Sequence, residues 1–415
     1  MRDVLFLSYF FPPLGGGAVL RAVKFVKYLP AFGWRPLVVA AAGGYHVRDA
    51  SLEAEIPPQV VRSGVAPPGG SGLAGTPGGF LARVRRRLSR ERRRLLCFPD
   101  VYTWFARPAY EEARRLLAEH EVEVIFSTAP PYTSHLLASR LAAETGLPLV
   151  LDYRDAWTDN PLDAYPTPLH RWRTPRAEAR VLSEAAAVTA VTAGMAEQYG
   201  RRVPAGCPVI FLPNGYDEAD FVSPAPPAAG PFVVAYSGQL YAGRRPGTFF
   251  EAAARFVKRR NLGPGDFLVR LVGPIGPGVA RRAAAAGLPV EATGLVEHGE
   301  AVRAMREADV NLLLIGSRPG AEATLTGKIF EYLRAGRPIL ALVPPPGEAA
   351  ALIREFEAGV VVPPDDVDGA ERALEELYER RGAAAAPPPP GLERYERRRL
   401  AAELAAAFEE VCRER

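Results

Sequence analysis

Cysteine and histidine are scarce in this chain, and long apolar runs are missing. The 415 residues hold 3 cysteines and 5 histidines. Cys97, Cys207 and Cys412 are odd in number and far apart, which argues against a disulfide framework and gives no metal-ligand spacing. His46, His120, His135, His170 and His298 form no HxxxH-type pair, so no metal site is expected. The longest apolar runs, residues 339–343 and residues 310–315 apart from Asn311, are strand-sized and too short to span a bilayer. A strand is expected at once, over 4–10, with no basic stretch before a long apolar one. No signal peptide is therefore expected, and a cytoplasmic protein is. The glycines after that strand do not form G-x-G-x-x-G, so a nicotinamide cofactor is unsupported.

What is present is the balance of a globular enzyme: 48% apolar and 24% charged residues, in a chain long enough for two domains. The net charge of +4 is unevenly placed. Residues 1–215 carry 26 Lys and Arg against 19 Asp and Glu, and residues 216–415 carry 25 against 28. Much of the excess lies in residues 80–98, where Arg85, Arg86, Arg92 and Arg93 interleave with Leu81, Val84, Leu88 and Leu95 at roughly helical spacing. A basic amphipathic segment of this kind suits an anionic membrane surface. It lacks the aromatic interleaving of a nucleic-acid site, and the chain has no nucleic-acid module.

Strands alternate with helices throughout, which predicts parallel sheets covered by helices. The expected strands are 4–10, 37–41, 122–127, 149–153, 187–192 and 209–212, then 233–237, 267–272, 290–293, 310–315, 338–343 and 358–362. Helices are expected over 18–32, 102–120, 132–144, 175–185 and 193–199, and over 392–412 at the end. Residues 62–79 are rich in Gly and Pro and read as a loop. Residues 224–231 read as a linker, so the predicted divisions are 1–222, 223–390 and a terminal helical segment, 391–415.

Strand ends carry the candidate chemistry, since ligands of doubly wound sheets gather there. Gly15, Gly16 and Gly17 lead into a helix with Arg21 and Lys24, and let a ligand approach the backbone and the helix-start amides. Residues 125–135 end in His135, whose place inside a helix favours packing over contact with an acceptor hydroxyl. Asp152, Arg154 and Asp155 close an apolar strand, where charges must be paired or lie in a cleft. A salt bridge holding the loop and a catalytic role are both open there. Gly238 and Gln239 precede Arg244 and Arg245, two guanidinium forks suited to phosphate. From Thr326 a short helix follows, with Lys328 at its start and Glu331 one turn along, where a carboxylate can accept both hydroxyls of a ribose. Gly336 and Pro338 end it before the next strand.

The segment from Thr326 to Ala341, TGKIFEYLRAGRPILA, resembles the donor-binding segment of retaining glycosyltransferases of family 4. The resemblance extends over nearly the whole chain and is weakest across 45–97. It implies the GT-B fold, with two facing Rossmann-like domains, a cleft between them and a C-terminal helix packing back on the first. It also implies a metal-independent, hexosyltransferase-like enzyme with a nucleotide-diphosphate sugar as donor and no separate cofactor. A sugar or lipid-linked hydroxyl acceptor in polysaccharide or glycolipid assembly goes with it. By the same resemblance Arg154, Asp155, Arg244 and Lys328 are the expected catalytic residues. Gly16, Gly17, Gly238, Arg245, Glu322, Leu325, Thr326 and Glu331 are the expected donor contacts. Many members of that family carry two glutamates with seven residues between them. Here Glu331 fits the second, the first position is Ala323, and Glu322 stands one residue out of register. They also have a histidine–aspartate pair where this chain has Arg154 and Asp155. The other readings are an epimerase or hydrolase acting on a nucleotide-sugar, and a non-catalytic membrane-associated partner.

Overall fold

The computed structural model describes residues 1–43, 47–67, 92–158, 160, 165–222, 230–240, 246–382 and 385–413. By contact the chain forms two units, Met1–Pro213 with Arg398–Arg415, and Asn214–Arg397. Residues 214–222 thus group with the second unit: the Tyr216 amide donates to the Tyr395 carbonyl at 3.1 Å, and Phe221 lies in that unit's core.

The first unit is a seven-stranded parallel sheet in the order β3-β2-β1-β4-β5-β6-β7. The strands are β1 Arg2–Leu7, β2 Trp34–Ala41, β3 Val61–Val65, β4 Val122–Ala129, β5 Leu149–Tyr153, β6 Ala187–Ala190 and β7 Val209–Phe211. β3 corrects the expectation of a loop from residue 62. VRSGV is polar and contains glycine, yet it lies at the sheet edge, where among the described residues Leu37 to Ala41 supply its strand partner. The helix expected over 175–185 is Pro168–Ser183. Thr167 caps it by accepting from the His170 amide, Pro168 occupies the first turn, and Pro175 lies inside it. Helix Arg397–Arg413 belongs to this unit and buries Leu400, Leu404 and Phe408 in its core, with the Phe408 ring 5.3 Å from Trp34.

The second unit is a six-stranded parallel sheet in the order β10-β9-β8-β11-β12-β13. Its strands are β8 Phe232–Ser237, β9 Phe267–Val272, β10 Val290–Gly294, β11 Val310–Leu314, β12 Ile339–Leu342 and β13 Gly359–Val362. Both faces are covered, and side-chain alternation separates two cores. Val310, Leu312 and Leu314 face one, and Leu313 and Ile315 the other; Leu340 and Leu342 alternate with Ile339, Ala341 and Val343 in the same way. In each unit the chain reverses its direction of winding beside the first strand, β1 or β8, which places the switch point of each sheet at the carboxyl end of that strand. Among the described residues no helix is long and apolar enough to cross a membrane.

Candidate functional site

In the first unit the loop after β1 runs into helix Gly17–Tyr28. Gly15 is enforced by close packing, since a Cβ there would lie 2.8 Å from the Asp49 Cβ. Gly16 caps the helix at φ +89°, a conformation that favours glycine, and no side chain caps the helix start. Gly16 and Gly17 are exposed, and a Cβ on Gly17 would meet nothing within 4 Å. The loop therefore offers open space against helix-start amides, an arrangement that suits an anion.

Two arginines fix this corner. Arg21 is buried and donates to both Asp152 oxygens, from Nε at 3.1 Å and Nη2 at 2.7 Å, and also to the carbonyls of Leu212 and Pro213. Asp152 also accepts from Thr128 Oγ1 at 2.6 Å and Thr189 Oγ1 at 2.7 Å. Burial pushes the Asp152 carboxyl up. The Arg21 charge and the hydrogen bonds from Arg21, Thr128 and Thr189 outweigh it, so the net shift is downward. Arg154 bonds main-chain carbonyls: Ala129 from Nε at 3.3 Å, Ala18 from Nη1 and Pro130 from Nη2. Its pKa is lowered, chiefly by burial. A cation holding three carbonyls ties the ends of β4 and β5 to the first turn of the helix after the glycine loop.

Asp155 is half-buried, and its carbonyl accepts from the Tyr132 hydroxyl at 3.3 Å. Tyr132 also donates to Ala156 O at 2.8 Å and stacks on Trp157, with ring centroids 4.9 Å apart. His135 is fully buried. Its Nδ1 lies 2.9 Å from Ser127 Oγ, its ring packs on Tyr153, and burial lowers its pKa to about 3. That is a neutral core residue, the packing role favoured by its helical position.

In the second unit, Gly238 at the end of β8 has φ +109°, and a Cβ there would lie 3.0 Å from Lys328 Nζ. Lys328 opens helix Lys328–Ala335, donates to Ser237 O, and lies over the Tyr236 ring at 4.0 Å. The same helix is tied to the sheet by Tyr332, whose hydroxyl accepts from the Ser237 amide at 3.0 Å and donates to Leu312 O at 3.3 Å. The helix start is thus held where β8 and β11 adjoin, at the switch point, with a cation beside a glycine that leaves the backbone accessible. Glu331 is nearly buried, with His298 Nε2 3.6 Å from its Oε1 and 3.2 Å from Asp220 Oδ2. Thr326 Oγ1 is buried and has no hydrogen-bond partner, an open valence in the middle of the segment. Leu325 is half-buried against the core that holds Ile329 and Phe330. Glu322 is exposed in the turn Ala321–Ala323, whose backbone packs so closely that a Cβ on Gly347 would lie 2.9 Å from Glu322 O. A cavity of about 280 Å³ opens nearby at the ends of β11 and β12, lined by Ile315, Gly316, Ser317, Arg318, Leu342 and Asp365 among others. Arg244 and Arg245 lie outside the described residues, as do residues 80–91.

The structure therefore brings together Gly16, Gly17 and Arg154 in one unit, and Gly238, Thr326, Lys328 and Glu331 in the other. Sequence reasoning missed the Arg21–Asp152 hub and the His298–Asp220–Glu331 contact. Arg21 is far from Asp152 in sequence, and the available signal was a cation set, like Lys24, among the apolar residues of helix Gly17–Tyr28.

Residues 16–215 match the family model described as Glycosyl transferase 4-like domain, and residues 231–380 match that described as Glycosyl transferases group 1. No curated protein matches the sequence. Solved structures similar to the chain include sucrose-phosphate synthase from Thermosynechococcus elongatus, at 16% identity and a TM-score of 0.58, covering 100% of this chain and 97% of that one. Anabaena HepE in complex with UDP-glucose is similar at 16% identity and a TM-score of 0.60, covering 100% and 98%. The lipopolysaccharide outer core galactosyltransferase WaaB is similar at 13% identity and a TM-score of 0.55, covering 98% and 99%. With both of its α/β units matched by glycosyltransferase domains, the chain belongs to the glycosyltransferase superfamily and has the GT-B fold.

Proposed function

We propose that this glycosyltransferase moves a sugar from a nucleoside-diphosphate sugar to a hydroxyl acceptor with retention of anomeric configuration, as a family 4 enzyme of polysaccharide or glycolipid assembly. The observation that carries the reading is the start of helix Lys328–Ala335. Lys328 sits beside Gly238 and over Tyr236, and Glu331 stands one turn along, at the switch point of the second sheet. Sugar transfer from such a donor needs stabilisation of the departing diphosphate more than it needs an acid and base pair. Lys328 and the amides near Thr326 supply positive charge where negative charge grows, and Arg244 and Arg245 take the same role by resemblance. Glu331 accepts the ribose hydroxyls. Gly16 and Gly17 leave room for the donor's diphosphate and sugar, and Arg154 positions that loop through Ala18 O.

In the bond-breaking step the anomeric carbon–oxygen bond to the diphosphate opens. The acceptor oxygen bonds to that carbon from the same face, and its proton passes to a departing phosphate oxygen. Asp155 orients the acceptor or the sugar hydroxyls, and no step calls for a metal. HepE crystallised with UDP and with UDP-glucose supports a nucleoside-diphosphate sugar as donor, and WaaB supports a glycolipid or polysaccharide acceptor. The acceptor is lipid-linked, and the enzyme works as a peripheral protein on the inner face of the membrane, with residues 80–98 toward the lipid.

A thermal-shift panel of nucleoside diphosphates and their sugars is the first test, followed by transfer of labelled sugar and the anomeric configuration of the product by NMR. Stabilisation by one nucleotide class and an axial or equatorial product matching the donor are expected. Hydrolysis or epimerisation of the donor with no dependence on an acceptor would replace this reading with the epimerase or hydrolase one.

A further inference from the structure

Large exposed apolar side chains are few among the described residues, and half of them fall in two short stretches that touch each other. Leu95 and Leu96, in the helical turn at 92–96, are 49% and 70% exposed. Leu169 and Trp172, in helix Pro168–Ser183, are 56% and 57% exposed. Two contacts join the stretches. His170 Nε2 lies 2.9 Å from Cys97 O, and the Arg173 guanidinium lies 4.2 Å from the Phe98 ring centroid.

The helix explains why its apolar residues face outward. His170, Thr174, Glu178, Val181 and Leu182 form its buried face. Leu169, Trp172, Arg173 and Arg176 stand at i, i+3, i+4 and i+7 and so share the opposite, exposed face. Arg176 holds Trp172 from that face, donating to its carbonyl at 2.8 Å and lying over its indole at 4.4 Å. Residues 92–98 and 168–176 contain six arginines and no acid, and all six are exposed. The nearest acid on the helix, Glu178, is buried and paired with Arg202 at 3.0 Å.

We propose that residues 92–98 and the Leu169–Arg176 face together form a docking surface for an anionic lipid bilayer. Charge complementarity selects the occupant. Six guanidinium groups with no acid among them attract anionic headgroups, while one tryptophan and three leucines set among them are the amphipathic mix that settles at the headgroup level. Protein interfaces also favour arginine and aromatic side chains, so the choice of a bilayer rests on the uniform sign of the charge, with no acid in either stretch. Docking would bring a lipid-linked acceptor to the enzyme, and in that purpose it rests on the transfer reading above.

Sedimentation of the full chain with vesicles of phosphatidylcholine, with and without about a third phosphatidylserine, tests the surface. Binding is expected only to the anionic vesicles and should be lost in high salt. Removing one cation near the headgroups should weaken binding about fivefold, so Arg173→Gln with Arg176→Gln should weaken it on the order of twentyfold. Leu169→Ser with Trp172→Ser should also release the protein from vesicles. These residues are exposed, and unchanged melting temperatures will confirm that the variants fold. No binding to anionic vesicles at low salt overturns the proposal. So does binding unmoved by either pair of substitutions, or a self-association that Trp172→Ser abolishes while vesicles are ignored. Donor-induced thermal stabilisation measured without lipid reports separately on the transfer reading.

Discussion

Replacing Asp152 by asparagine isolates the hub beneath the first-unit loops. The aspartate is fully buried, and each of its oxygens accepts two hydrogen bonds, Oδ1 from Arg21 Nη2 and Thr189, Oδ2 from Arg21 Nε and Thr128. Asparagine keeps the shape but offers one oxygen. Its amide nitrogen would point N–H groups at an arginine or threonine donor, and Arg21 would be left at 2% exposure with no counter-charge, holding the Leu212 and Pro213 carbonyls and at most one amide oxygen. Breaking a buried pair from one side costs about 3–5 kcal/mol. For a unit of this size that corresponds to a fall in melting temperature of roughly 6–20 °C. Differential scanning calorimetry can follow the transition of the first unit, and the second unit should melt as before. A companion double variant, Arg21→Met with Asp152→Leu, removes both charges and should lose much less, because no buried ion is stranded. The pH dependence has a definite sign. A carboxyl whose folded pKa is depressed contributes stability above its unfolded value of about 4 and loses it as pH falls through the lower folded value. Wild type should therefore lose stability below about pH 4 more steeply than Asp152→Asn. A melting temperature within about 3 °C of wild type would refute the hub, since it corresponds to only about 1 kcal/mol.

Three further outcomes follow from the geometry. Glu331→Gln should weaken nucleoside-diphosphate binding about tenfold without lowering the melting temperature, because a bidentate contact to a diol is lost; equal affinity in titration calorimetry would remove Glu331 from the donor site. Lys328→Met should lower kcat more than it raises KM, by on the order of a hundredfold if its charge acts on the leaving diphosphate. A variant that melts earlier but turns over normally would make Lys328 a structural bond to Ser237 alone. His135, with a folded pKa of about 3 against about 6.5 unfolded, stays neutral while the unfolded chain takes up a proton. Stability should accordingly fall by about 2 kcal/mol between pH 6.5 and 5. Urea unfolding at the two pH values should show that slope in wild type and lack it in His135→Gln, and a slope shared by both would point to another group.

The strands of the two sheets were legible because they are short apolar runs set between helical periods, and β5 and β9 fall on the expected residues. The exceptions have local causes. β3 was lost because an edge strand buries little, so VRSGV has no need of an apolar pattern. The start of helix Pro168–Ser183 was misplaced because two prolines compete for the first turn; Thr167 decides in favour of Pro168 by accepting from the His170 amide. At the site, sequence showed that the charges closing β5 had to be paired, but not with what. The obvious salt bridge within the segment is not the principal pairing found. Asp152 takes Arg21 from 131 residues away, and Arg154 turns its guanidinium to three carbonyls, because the winding of the sheet brings the ends of β4 and β5 beside the first helix. The donor segment was legible for the opposite reason. Lys328, Glu331, Tyr332 and Gly336 lie within one helix and its cap, so their mutual geometry is set by helical pitch and survives without knowledge of the tertiary fold. What that local pattern could not contain is the contact of Glu331 with His298, which comes from the start of another helix and is held in turn by Asp220. Local spacing thus reveals which residues can act together, whereas the orientation of each depends on partners that only the folded sheet brings within reach.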